Sequence, residues 1–150
     1  MRTKLAPIWH KLTIFGARAL AAGVLSPYVQ AMHAIKSGLE QDLNALPAAE
    51  MAEWRVKVAC AWLSHGGAMP LLWWAKENMG YGNVEDERNS ITRGLLYHGP
   101  AIMCFDRWNF WLYRLQVLAE QESGLSDETR LTLLDAAANT MREAEERLTR

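Results

Sequence analysis

Residues 99–122 constrain the fold more than any other part of the chain. Met103, Cys104, Phe105, Trp108, Phe110, Trp111 and Tyr113 fall close together, and the charges are only Asp106, Arg107, Arg114, Glu120 and Glu122. A helix apolar on most of its faces must be wrapped by others. The stretch therefore predicts a central helix inside an all-α, single-domain bundle of about five to six helices. No run of β-branched residues with period two competes with that reading.

A chain of 150 residues fits one domain. At that length folding removes roughly 68–70% of the unfolded surface from water, so a core forms without staples. The net charge is −1, and no Lys/Arg stripe interleaves with the aromatics, which argues against nucleic acid as a partner. Seven tryptophans are the unusual number. They fill a core or wall a cavity for an aromatic-lined ligand site, because each buries a large area and needs a partner for its N–H. Cys60 and Cys104 form no CxxC and no zinc spacing. They read as buried free thiols of a reducing compartment, with a single disulfide between them as the alternative.

Two segments raise questions of destination. The first 39 residues hold no Asp or Glu, against the basic Arg2, Lys4, Lys11, Arg18 and Lys36. That bias resembles a transit peptide, yet Lys11 and Arg18 interrupt any signal-peptide core, and a packed first helix is the expectation. Residues 58–75 carry no formal charge. Ser64, His65, Gly66, Gly67 and Pro70 lie in their middle, so a buried bent helix is expected rather than a membrane span.

In chain order, residues 7–22 predict a first helix with Ile8, Leu12, Phe15, Ala19 and Ala22 as its buried stripe and Gly23 as its stop. Ser26-Pro27 caps a second helix over 27–43, with Tyr28, Met32, Ile35 and Leu39 inward. A third starts near Pro47 and runs through Trp54, Val58, Ala61, Trp62 and His65. Gly66-Gly67 and then Pro70 kink or break it, because glycine weakens a helix and proline removes a backbone bond. A shorter piece, 71–79, follows. Residues 80–93 are the most polar stretch and read as an irregular loop. Gly124 ends the central helix, and Ser126-Asp127-Glu128 caps a last one over 127–148. Its expected buried stripe is Leu131, Leu134, Ala138, Met141, Ala144 and Leu148.

Familiar catalytic patterns are missing. His10, His33, His65 and His98 stand apart, without HExxH or Glu-x-x-His, so no metal is expected. Ser64 and His65 are adjacent, which on a helix points them about 100° apart and prevents a nucleophile–base pair. No phosphate-cradling glycine loop and no GxSxG occurs. What remains is polar groups set among apolar ones. His65 lies one turn from Trp62, Tyr97-His98 precede the central helix, and Asp106-Arg107 interrupt its aromatic run. Each also fits a structural role, Arg107 as one half of an ion pair and His65 as a hydrogen-bonded core residue.

At these residues the chain resembles a fungal family of helical proteins catalogued as a domain of unknown function. The resemblance rests on Phe15-x-Ala17-Arg18, Ile35-x-x-Gly38-Leu39-Glu40, Ala59-x-Ala61-Trp62 and Tyr97-His98-Gly99. It continues in Phe105-x-Arg107-Trp108-x-Phe110-Trp111, Leu125-Ser126-Asp127-Glu128-Thr129 and Ala137-x-x-x-Met141. It covers nearly the whole chain; members tend to be longer at the N-terminus. It implies a cytoplasmic, all-helical protein, with some members linked to specialised-metabolite pathways.

By analogy with small proteins of that setting, the resemblance points to a cofactor-free cyclase or isomerase, for example a pericyclic, Diels–Alder-type enzyme acting on a terpenoid or polyketide. Such an enzyme needs a shaped apolar cavity and one or two polarising donors. Trp62, Met69, Trp73, Met103, Trp108 and Trp111 would be the substrate-binding walls, and His65, Tyr97, His98 and Arg107 the catalytic donors. The partner expected is a small apolar molecule. Two alternatives stay open: a non-catalytic module that homodimerises through exposed tryptophans such as Trp9, Trp54 or Trp74, and a carrier of hydrophobic ligands. The site is expected between the kink after His65 and the half-helix up to Trp111.

Overall fold

A computed structural model describes residues 2–23, 28–46, 48–78, 92–120 and 124–148. Among them are six α-helices and no strand: α1 (Arg2–Ala21), α2 (Tyr28–Leu39), α3 (Ala49–Trp62), α4 (Ala68–Glu77), α5 (Phe105–Glu120) and α6 (Asp127–Leu148). A 3-10 turn, Leu43–Ala45, follows α2, and a π-helical turn, Leu63–Gly67, joins α3 to α4. Counting α3 and α4 as one bent helix gives five, so the all-helical expectation holds. None of the described helices is long and apolar enough to cross a membrane. The Ser26-Pro27 cap and most of the polar 80–93 loop lie outside the described residues.

The core holds Met32, Ile35 and Leu39 of α2, Val56 of α3, Leu71 of α4, Trp111 and Leu115 of α5, and Leu133 of α6. The α2 face is the one the spacing predicts. The central helix differs from expectation. α5 begins only at Phe105, and residues 99–104 are irregular. Their carbonyls, which a helix would use, are taken by side chains. Arg93 Nη1 donates to Gly99 O (3.2 Å), Tyr97 Oη to Pro100 O (2.8 Å) and Asn78 Nδ2 to Met103 O (2.8 Å).

At the centre lies a buried ion pair. Glu40, just past the end of α2, and Arg107 on α5 are both fully buried. Arg107 Nε donates to Glu40 Oε2 at 2.7 Å, and Nη2 donates to Oε1 at 2.9 Å. Trp111 Nε1 adds a bond to Oε2 (2.6 Å), and the Gly94 N–H one to Oε1 (3.0 Å). The desolvated carboxylate thus has two donors on each oxygen, the condition under which a buried charge is tolerated. Arg107, Trp111 and Arg114 follow at i, i+4 and i+7, so one face of α5 meets the end of α2. Arg114 Nε caps the Leu39 carbonyl (3.0 Å) there.

The Glu40 backbone, the Gln41 side chain and Arg107 hold the chain that returns to α5. Leu96 N bonds Glu40 O (2.9 Å), Leu95 N bonds Gln41 Oε1 (3.3 Å), and Arg107 Nη2 reaches Thr92 O (3.2 Å). Gly94 fits because it lacks a side chain: a Cβ there would lie 2.4 Å from Glu40 Cβ and 2.6 Å from Glu40 O.

Two predicted stripes face outward. On α1, Ile8, Leu12 and Phe15 are 55%, 53% and 63% exposed and Ala22 is exposed too, so that of the expected stripe Ala19 is buried, together with Thr13, Ala17 and Leu20. Small residues form this packing face because the π-turn and Trp62 lie directly on it; a Cβ on Gly16 would lie 2.8 Å from the Trp62 ring. On α6, Leu131, Leu134, Ala138 and Met141 are exposed, and Thr129, Leu133, Ala136, Ala137 and Thr140 are buried. Ala144 packs partly buried against the core, while the Leu148 side chain lies outside the described residues. The rotation of α6 follows from a polar tie at its first turn. Thr129 Oγ1 and the Ser126 N–H donate to the Glu53 carboxylate of α3, so Thr129 turns inward. The expected cap is present, with Thr129 N donating to Ser126 Oγ (3.2 Å).

Removing either half of the ion pair strands a buried charge. Glu40→Ala and Arg107→Ala are each expected to cost about 3–5 kcal/mol, and the double variant less than their sum. Urea unfolding of the set measures this; strict additivity would show that the two groups act independently.

Candidate functional site

The residues proposed from sequence separate into three places. Trp62, Met103, Trp108 and Trp111 are buried in the core, and Met69 packs partly buried against it. Tyr97 is buried with its ring 5.1 Å from the Arg107 guanidinium, and its hydroxyl reaches Pro100 O and Cys104 Sγ (3.5 Å). Burial above all, and then Cys104, pushes the Tyr97 phenol well above its ordinary range. Tyr97, Arg107 and Trp111 are thus brought together, around Glu40. His98 is exposed, and Trp73 is half exposed beneath Lys76 (4.8 Å). Only His65 of the ten lines the groove described next.

That groove lies between α1, α3 and α6. The three run in the same direction. Gly16 and Ala21 of α1 meet Trp62 and Gly66, while Ser126 and Glu128 meet Glu53 and Lys57. Met51, Trp54, Val58, Ala61 and His65 form its floor at spacings of three and four, the period of one helix face. Trp9 and His10 of α1 form one wall, and Thr132, Asp135 and Asn139 of α6 the other. The volume is about 1270 Å³ and the groove opens to solvent. Trp9 and Trp54 present large apolar faces into it, 53% and 41% exposed.

The π-turn sets the end of the groove. The kink foreseen at Gly66-Gly67 is there, with His65 at φ −103°, ψ 24° and Gly66 at φ 113°. Only glycine takes the latter conformation readily. A Cβ on Gly66 would also lie 2.8 Å from Ala21 Cβ, so the glycine lets α1 close on the turn. His65 sits inside this kink, with its backbone off helical values. Burial, and then the neighbouring charges of Arg18 and His10, holds its imidazole below the ordinary value of about 6.5. The groove therefore ends in a neutral imidazole at pH 7, able to accept or donate one hydrogen bond.

Other groups in the groove are already engaged. Burial alone would raise the Glu53 carboxyl, but bonds from Thr129 and Ser126, helped by Lys57, outweigh it and hold the group below its usual value. Lys57 and Glu128 pair at 3.5 Å. Burial pushes the Cys60 thiol up to about 12, so it is no nucleophile. Cys60 and Cys104 are both free. Among the described residues no group of three His, Cys, Asp or Glu could hold a metal ion.

Sequence reasoning missed the α6 wall and Trp9 and Trp54 as groove residues. The signal was present as a second apolar set on α3, at 51, 54, 58 and 61, beside the set 52, 56, 59 and 63 that enters the core.

The molecule is an all-helical bundle with an open aromatic groove between three co-directional helices. A family model described as a protein of unknown function (DUF3632) matches residues 2–115, and the chain belongs to that family. Curated proteins gave no match to the chain, and solved structures gave none.

Two titrations follow from the site. The His65 imidazole should titrate below about 6.5 by NMR, and Arg18→Gln should raise its midpoint. Because the folded protein favours neutral His65, that contribution to stability is full above the unfolded value and is lost as pH falls through the folded one. Glu53 is a carboxylate with a lowered folded value. Its contribution is present above about 4.3 and disappears as pH falls through the lower folded value. Glu53→Gln should remove that acid-side loss from a series of urea unfolding curves.

Proposed function

We propose that the protein binds a small apolar molecule in the groove between α1, α3 and α6. The observation that carries this reading is the groove itself, about 1270 Å³ and faced by Trp9, Trp54, Met51 and Val58. Ligand sites of small molecules are concave, mostly apolar and furnished with a few polar groups, and His65, Ser64 and Asn139 supply those here. Carriage of a hydrophobic ligand needs nothing more. The compartment proposed is the cytoplasm of a fungus and the ligand class a terpenoid or polyketide, in keeping with the resemblance seen in the sequence.

One observation favours turnover as a second reading. An imidazole kept neutral at the end of an apolar groove is suited to move a proton on a bound substrate, which is what a cofactor-free isomerase or cyclase requires. In that reading Trp9 and Trp54 shape the substrate and His65 is the acid–base group. Homodimerisation has its own support in the exposed Ile8, Leu12 and Phe15 of α1, and light scattering reads it directly.

The groove is tested with N-phenyl-1-naphthylamine, an uncharged probe that fluoresces in apolar sites. Saturable enhancement at one probe per chain is expected. Val58→Trp, which fills the floor, should abolish it, and Trp54→Ala should weaken it about 10-fold. An absent signal, or one indifferent to Val58→Trp, overturns the reading.

A further inference from the structure

The outer face of α1 has a composition of its own. Ile8, Leu12 and Phe15 follow at i, i+4 and i+7, so they form one stripe along the helix. Each is more than half exposed, as is Trp9, which borders the stripe along one edge. Lys11 and Arg18, both exposed, border it along the other edge, about two turns apart. Thr13, Ala17 and Leu20 hold the opposite face against the bundle. The large side chains of α1 are thus outside and its small ones inside, the reverse of what a helix packed only on its own core requires.

Charge on this helix has one sign. α1 contains Arg2, Lys4, Lys11 and Arg18 and no acidic residue. The first acid in the chain is Glu40, which is buried in its own ion pair. Among the described residues no ion pair holds Lys11 or Arg18. The acids that line the groove stand on α3 and α6, across from α1. Two copies of the chain meeting through this face about a two-fold axis would therefore set its cations against one another, with no carboxylate on α1 to answer them.

An anionic lipid surface answers both properties together. It takes up an apolar stripe at the boundary between headgroups and acyl chains, and its charge attracts the basic side chains beside that stripe. Indole rings favour the same boundary, which suits Trp9 at the edge. A lipid surface also makes no demand for shape complementarity, so the convex side of a single helix is enough.

We propose that the outer face of α1 is a membrane-surface contact, with Ile8, Leu12 and Phe15 set among acyl chains and Lys11 and Arg18 on anionic headgroups. The helix lies along the surface and does not cross it. Three large apolar side chains and two flanking cations make a reversible attachment rather than a permanent anchor. The contact does not depend on what the groove binds, because Leu12, Phe15, Lys11 and Arg18 lie outside the groove lining.

The experiment sediments the full chain with vesicles of phosphatidylcholine alone and of phosphatidylcholine with phosphatidylserine at about three to one. Binding to the mixed vesicles should be about 10-fold tighter than to the neutral ones and should weaken as salt is raised. Lys11→Gln with Arg18→Gln should remove that preference. Leu12→Gln with Phe15→Gln should abolish sedimentation with either vesicle. All four positions are exposed, so circular dichroism should be unchanged, and N-phenyl-1-naphthylamine binding in the absence of vesicles should be unchanged too. No sedimentation of the unmodified chain, or equal sedimentation with both vesicles, overturns the proposal. A dimer in light scattering that Leu12→Gln with Phe15→Gln dissociates also overturns it, and assigns the stripe to a second copy.

Discussion

The rest of the bundle depends on one desolvated carboxylate. Glu40 cannot be buried alone, since an isolated charge in an apolar interior is too costly to persist. Its four donors come from two separated parts of the chain, Gly94 from the segment returning to α5 and Arg107 and Trp111 from α5 itself, and all meet the end of α2. Satisfying that group therefore fixes where α5 lies on α2 and how the intervening segment returns. The hydrophobic contacts of Met32, Leu39 and Leu115 are non-directional and would tolerate a small slide. The bidentate geometry does not, because a shift of an ångström breaks bonds on both oxygens.

A second carboxylate plays a related part at the surface. Glu53 of α3 takes the Ser126 amide and the Thr129 hydroxyl at the start of α6. With the helix N-terminus open on that side, a carboxylate is favoured there by orphan amides and by the macrodipole. The tie selects the face of α6 that turns inward. The groove is a by-product of that choice, since Thr132, Asp135 and Asn139 are then left as a wall opposite α1.

Much of the fold was legible from residues, and the reasons are specific. The spacing of Met32, Ile35 and Leu39 identified the inner face of α2, and Ser126 with two following acids marked the start of α6. Gly66-Gly67 with Pro70 located the bend. The inner faces of α1 and α6 were not legible, because hydrophobicity ranks Ile8, Leu12, Leu131 and Leu134 above the Ala, Thr and Gly positions that actually pack. Close approach rewards small residues, and that depends on what lies opposite. The late start of α5, after the irregular residues 99–104, was hidden for a similar reason: carbonyls in that stretch are claimed by the side chains of Arg93, Tyr97 and Asn78. The candidate site was legible only in His65. Tryptophan content drew attention to Trp108 and Trp111 as cavity walls, whereas Trp9 and Trp54, which face solvent-open space, read as an exposed dimerisation patch.

The π-turn has a consequence for how a single rod serves two surroundings. A helix that continued undisturbed would keep one phase from Met51 to Ala75. At Leu63–Gly67 the backbone leaves helical values, at His65 and at Gly66, so α4 starts with a phase of its own. Before the turn, positions spaced from Met51 to His65 look into the groove. After it, Leu71 and Ala75 are enclosed in the core. The kink, which needs glycine at position 66, resets the phase and keeps the groove on one side of the molecule and the packing on the other.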